Sequence, residues 1–501
     1  MVFVWGASSL ASYFYRRAEK AAPQISLLSR VAVLVAGAIC IGLCLFGIRG
    51  RMGYNPIKVS QAYYCEDPFL NQLGVNPVFN LLTSTLDDNR KENRTLHLMS
   101  EEDALSKVQK YLHRQGIDRL SPIARKVERE GTPNRRNVVL VFMESMSANL
   151  MGTFGSDKKL TPYLDSLYQQ SLSFSHFYSS GIHTNHGIYS TLYSFPAIMK
   201  RNAMKGSVIP VYSGLPTVLQ ENGYCNLFFM THESQYDNMN AFLRTNGFDE
   251  IYAQENYPSE KVVNSFGVQD DFMYQYALPI LNERAGTGNP FFSVLLSISN
   301  HPPYVIPPYF HPHSDVLEEQ IVEYADWSIR QFMQAAEKQP WFDNTIFVFL
   351  GDHGKMVGTP ECEMPQSYNH IPLMIYGKDI KPGVYDGFGG QVDVSPTLLG
   401  LLNISYLQNN FGVNLLEEER PCMFFTADNL IGARDSVNMF IYSPDSQQEF
   451  KYKLEEGKLH AATGTDEEAF RNLKDYCFSM LQSTESLVKE HKTLDKVSVK
   501  K

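Results

Sequence analysis

The chain has 501 residues, of which 44% are apolar, 20% charged and 12% aromatic, so wholesale disorder is excluded and a large α/β domain with attachments fits its size. With 44 Lys and Arg against 54 Asp and Glu, its net charge of −10 argues against a nucleic-acid binder, which needs a basic face to neutralise phosphates. The seven cysteines include no CxxC pair, which points to neither a zinc knuckle nor a disulfide framework and leaves one or two bridges open.

The first fifteen residues, MVFVWGASSLASYFY, are apolar but too short to cross a membrane unaided. They lack the basic start of a secretion signal, and read as the end of another span in an N-terminally shortened chain. Val31 to Ile48 is a run of eighteen residues without a charge. At 1.5 Å per residue it covers about 27 Å, close to the roughly 30 Å hydrocarbon core, and a buried soluble helix rarely supplies so long a run. Arg16, Arg17, Lys20 and Arg30 lie between the two segments, which makes that short loop cytoplasmic and puts the residues after Ile48 outside.

Residues 51–130 read as a juxtamembrane connector of helical character, with a helix opening at Ser100-Glu101-Glu102. From Asn137 short apolar runs alternate with helical stretches, the pattern of a parallel sheet wrapped by helices. The runs are Val138–Met143, Cys225–Met230, Phe291–Ile298, Thr345–Leu350 and Pro372–Tyr376, and a closing helix is expected over Asp466 to Glu490.

Ligands in such sheets gather beyond the carboxyl ends of the strands. Glu144 follows the first run, Ser299-Asn300-His301 the third, and Gly351-Asp352-His353-Gly354 the fourth. Carboxylate and imidazole together suit zinc or manganese better than calcium. Thr184, in Gly181-Ile-His-Thr-Asn-His-Gly187, stands before an expected helix. It reads either as an N-cap or as a hydroxyl that a cation activates, beside helix N–H groups that favour an anion. Asp393 is expected to cap a helix, Thr161-Pro162 to start one, and His311-Pro312-His313 to lie in a proline-rich loop.

Glu144, Thr184 in GIHTNHG and Asp352-His353 in GDHG, with LTPYLDSLYQQS, SNHPPY and VDVSPTLLGLL, resemble the sulfatase-like branch of the alkaline phosphatase superfamily. The chain is most similar there to the lipoteichoic acid synthase family of phosphoglycerol transferases, with phosphoethanolamine transferases as relatives. The resemblance implies an α/β/α sandwich with a mostly parallel central sheet, preceded by a transmembrane helix. It implies a membrane region at 1–50, a sulfatase-like catalytic domain at 131–440, and a C-terminal strand and helix extension with a tail at 441–501. Glu144, Thr184, Asp352 and His353 would then hold one divalent cation, manganese or zinc, and Thr184 would be the nucleophile. His301 would carry protons or contact the phosphoryl group, and His232 would line the substrate pocket. The implied partners are a phospholipid donor, a cell-envelope acceptor and the membrane, in the bacterial inner membrane with the catalytic domain periplasmic.

Two departures stand out. Tryptophan and arginine contacts of the lipoteichoic acid synthases are replaced by something like Asp237, Asn238 and Met239, which leaves the head group open. His370, in YNHIPLMIY, has three readings: a ligand of a second cation, a contact to the transferred group, or a hydrogen bond in the core. The nucleophile position lacks the C/S-x-P-x-R frame of true sulfatases, so sulfate-ester hydrolysis is not expected. A hydrolase using the same residues is the alternative to transfer.

Overall fold

In the computed structural model, residues 26–52, 73–88 and 95–494 are described, except 118–119, 207–208, 456 and 463–466, together with a few isolated positions before 73. The chain divides into the units Met1–Lys58 and Val59–Lys501. The first contains the helix Leu27–Arg49, whose stretch Arg30–Arg49 is, among the described residues, the one helix long and apolar enough to cross a membrane. The partial span expected at 1–15 falls almost wholly outside the described residues, as does Cys65. The described cysteines are all free.

The second unit is built on an eight-stranded sheet. In chain order its strands are β1 (Asn137–Met143), β2 (Leu172–Tyr178), β3 (Cys225–Met230), β4 (Glu250–Tyr252), β5 (Phe291–Leu296), β6 (Thr345–Gly351), β7 (Leu373–Tyr376) and β8 (Gly383–Gly390). Across the sheet they run β8-β2-β7-β6-β1-β5-β3-β4, and only β7 is antiparallel to its neighbours. Every residue of β1 is buried. Val138, Leu140 and Phe142 enter one hydrophobic core while Val139, Val141 and Met143 enter another. A strand without a polar face is what a sheet covered by helices on both sides demands. The α/β/α sandwich with its mostly parallel sheet is thus as expected, although β2 and β8, with their mixed polar and apolar residues, carry no clear apolar run.

A second sheet comes next in the chain, antiparallel throughout: β9 (Met423–Ala427), β10 (Leu430–Arg434), β11 (Asn438–Ser443), β12 (Gln448–Glu455) and β13 (Lys458–Ala461). A boundary at 440 falls inside β11, so the expected division between catalytic domain and extension does not coincide with a break in the structure. The closing helix, Glu467–Lys489, packs Phe478 on Phe440 and Tyr442 of β11. Its Gln482 and Glu485 accept the backbone N–H groups of Leu98 and Leu96. Residues 95–130 therefore belong to the compact second unit rather than to a separate connector, and Ser100 caps the helix Glu101–Tyr111 as expected.

Asp393 departs from its expected role. Its side chain makes no bond to the helix after it and instead forms a buried, two-pronged ion pair with Arg420, 2.6 and 2.7 Å. It also accepts from Gly390 N and Val413 N. A partner 27 positions away leaves no trace in the local pattern. His311 and His313 lie in the expected loop, with His313 bonded to Glu323.

Candidate active site

Three parallel strands end at one rim. β1 runs into Glu144, β5 into the turn with Asn300 and His301, and β6 into Asp352-His353. Glu144 and Asp352 are 1% and 0% exposed, so two carboxylates are buried side by side. Burial first, then the neighbouring Asp352, pushes the Glu144 carboxyl well above its ordinary range. Ser145 joins the two acids. It holds a left-handed φ of 51°, unusual for a residue with a side chain. From there its N–H reaches Asp352 Oδ1 at 2.8 Å and its hydroxyl reaches Glu144 Oε1 at 2.7 Å.

His353 adds a nitrogen. Its Nδ1 lies 2.8 Å from the carbonyl of Gly354, and because a carbonyl only accepts, Nδ1 carries the proton. Its Nε2 faces Asp352 Oδ2 at 3.5 Å and Glu144 Oε1 at 3.7 Å. Two buried carboxylates so close repel unless a positive charge lies among them. Asp352 Oδ2 is buried and has no hydrogen-bond partner. The Glu144, Asp352 and His353 ligand atoms all lie within 4.8 Å of one another.

Thr184 completes the set. It is the first residue of the helix Thr184–Tyr193, whose N-cap is His183, so the N-cap reading of Thr184 does not hold. Its Oγ1 is 3.4 Å from Glu144 Oε2. Ligands about 2.1 Å from a tetrahedral ion stand about 3.4 Å apart, so two carboxylates, an imidazole and a hydroxyl at these spacings fit one divalent cation. Two residues bring the Thr184 helix against the acidic turn. A side chain at Gly187 would begin 2.2 Å from the carbonyl oxygen of Asp352, so only glycine allows the approach. Gln391 then ties the pieces together, donating to the carbonyls of Gly351 and Asp352 and accepting from Ser180 N.

His301 and His232 repeat the His353 pattern. Each has Nδ1 on the carbonyl of the next residue, Pro302 at 2.7 Å and Glu233 at 3.0 Å, which leaves Nε2 as an acceptor. Burial holds both imidazoles below their ordinary pKa. The electrostatic neighbours of His301 include His353 and Asp352, and those of His232 include His301. Buried Asp270, raised to about 6 by desolvation, accepts from Ile298 N and Ser299 N and so fixes the His301 turn.

His370 is not brought into this group. Its Nε2 bonds the carbonyl of Ser175 at 2.9 Å, its ring lies between Tyr178 and Phe154, and burial lowers its pKa to about 4. That is the core-bonding reading of the three. Ser145, Gln391 and Lys355 carry no clear signal in the sequence pattern. Lys355 Nζ donates to Asn300 Oδ1 at 2.6 Å, and Asn300 in turn donates to the carbonyls of Glu144 and Ser145. Burial lowers the Lys355 ammonium to about 8. Its adjacency to GDHG is the one hint that the sequence offers.

The family described as Sulfatase matches residues 136–404. The lipoteichoic acid synthase-like YvgJ of Bacillus subtilis is 25% identical over 362 residues, covering 66% of this chain and 56% of its own length. A lipoteichoic acid synthase of Staphylococcus aureus is 24% identical over 400 residues, covering 70% and 58%. The chain thus spans little more than half the length of the curated relatives it matches. Among solved structures, an alkaline phosphatase superfamily protein of Vibrio parahaemolyticus superposes with a TM-score of 0.71 at 25% identity, over 79% of this chain and 97% of that one. The lipoteichoic acid synthase LtaP of Listeria monocytogenes gives 0.62 at 21% identity, over 77% and 98%.

Proposed function

Because this chain belongs to the sulfatase family, as a lipoteichoic acid synthase-like member of the alkaline phosphatase superfamily, we propose that it is a membrane-anchored transferase. It moves a phospho-alcohol head group, phosphoglycerol or phosphoethanolamine, from a phospholipid to an extracytoplasmic acceptor. The observation that carries this reading is the Thr184 hydroxyl at a helix N-terminus, 3.4 Å from a buried carboxylate that Asp352 and His353 adjoin. Such a hydroxyl is placed to attack phosphorus, and the helix N-terminus favours the anion it attacks. The helix Leu27–Arg49 serves as the anchor, with the basic residues before it on the cytoplasmic side and the catalytic domain in the periplasm.

A divalent cation, manganese or zinc, held by Glu144, Thr184, Asp352 and His353 would acidify the hydroxyl and offset charge on the phosphoryl oxygens. In the first step Thr184 Oγ1 bonds to phosphorus and the bond to the diacylglycerol oxygen breaks. His301 Nε2 takes the Thr184 proton and delivers it to that leaving oxygen. In the second step the acceptor hydroxyl attacks the phosphothreonine, and His301 returns the acceptor's proton to Thr184. His232 lines the pocket in which the head group sits.

Vesicles containing phospholipid labelled in the head group, incubated with the full chain with and without candidate acceptors, test the proposal. Labelled acceptor is the expected product. Release of free phospho-alcohol with no transfer would instead make the chain a phosphodiesterase.

A further inference from the structure

A chain of contacts leaves the acidic turn and returns to Thr184. His301, beside Asp352 and His353, lies on the ring of Phe266 with centroids 4.1 Å apart. Phe266 meets Tyr236 edge-on at 6.0 Å, and Tyr236 meets His232 at 4.9 Å. Asp237, next in sequence and an electrostatic neighbour of His232, accepts from Asn185 Nδ2 at 3.0 Å, and Asn185 directly follows Thr184. Apart from buried His232, these side chains are half-buried. Asp237 is held there in a left-handed turn, with φ of 49°.

Resting on the transferase reading above, we propose that the group transferred is a phospho-amino-alcohol, with its ammonium recognised by Asp237 beside the Tyr236 and Phe266 rings. Aromatic faces attract a cation within about 6 Å, and a carboxylate adds a charge-assisted hydrogen bond. The carboxylate already accommodates an ammonium: Lys205 Nζ lies 3.0 Å from Asp237 Oδ1, on a side chain 45% exposed that can turn out into solvent. Asn185 fixes the carboxylate one residue from Thr184, a spacing suited to a cation carried a short carbon chain away from phosphorus. Glycerol hydroxyls would gain less from the negative charge.

The test is calorimetric titration of the full chain, in detergent and manganese-containing buffer, with O-phosphoethanolamine and with glycerol 3-phosphate. The amino alcohol is expected to bind about tenfold tighter or more. D237N should bring the ratio of the two affinities close to one, and Asp237→Glu should restore part of it. A wild-type ratio at or below one, or a ratio unchanged in D237N, would overturn the inference. Vesicles of phosphatidylethanolamine or phosphatidylglycerol separate this outcome from failure of the transferase reading. A preference in binding without transfer from either lipid removes the transferase reading alone; transfer with phosphatidylglycerol preferred removes the head-group inference alone.

Discussion

Two of the buried pairs of ionisable groups, Asp393 with Arg420 and Glu144 with Asp352, are built on opposite plans. Asp393 and Arg420 are matched: a guanidinium forks onto a carboxylate that also accepts two backbone N–H groups, and Arg420 adds the carbonyl of Phe411. Glu144 and Asp352 are mismatched, with two acids together, an imidazole nitrogen beside them and an oxygen lacking a partner. A matched buried pair holds elements in place, here the end of β8, the helix after it and the 411–420 loop. A mismatched one is tolerable only if something positive arrives, which is why it marks a site rather than a strut.

Substitutions probe this contrast from both sides. The largest effect is expected from Thr184→Ala, which should lower transfer about 10⁴-fold or more while leaving thermal unfolding nearly unchanged. Arg420→Met comes next: it strands Asp393 in the core and should cost about 3–5 kcal/mol in urea unfolding. A loss below about 1 kcal/mol there would mean that the pair is not the strut described. Asp352→Asn should act in the opposite direction. In chelator-treated protein it relieves repulsion and raises stability by about 1–2 kcal/mol, and it should also abolish any stabilisation by added manganese or zinc.

The smallest effect belongs to another buried acid, Asp326, which accepts the N–H groups of Tyr163 and Leu164 at a helix start. Burial raises its pKa from the ordinary 3.8 to about 7. The folded state therefore holds the proton more tightly than the unfolded state, so its contribution favours folding below pH 3.8 and declines as pH rises towards about 7. Asp326→Asn should flatten the fall in stability across that window, as read by denaturant unfolding at several pH values; an unaltered slope would place the proton elsewhere.

Much of the sheet and of the site is legible in the sequence because buried parallel strands read as unbroken apolar runs, and the residues just after them face a common rim. Glu144, His301 and Asp352-His353 are found that way. The features that escape such a reading depend on conformation or on distant partners. The left-handed turn at Ser145 has no glycine to betray it, and Gln391 bridges Ser180 to Asp352 across some two hundred positions. Asp393 looks like a cap because Arg420 is remote in sequence. His370 has the residue type of a ligand, but β2 gives it a carbonyl and a ring to rest on. The alternation of β12, QEFKYKLE, is polar enough to hide a strand of a second sheet.

In the proposed transfer, Thr184 carries the transferred group. Brief exposure of the full chain to phospholipid vesicles without acceptor, followed by intact mass measurement and peptide mapping, tests it most directly. One added phospho-alcohol on Thr184 is expected, absent in Thr184→Ala and discharged when acceptor is supplied. Head-group release or transfer proceeding at full rate in Thr184→Ala, or the adduct mapping to another residue, would contradict it.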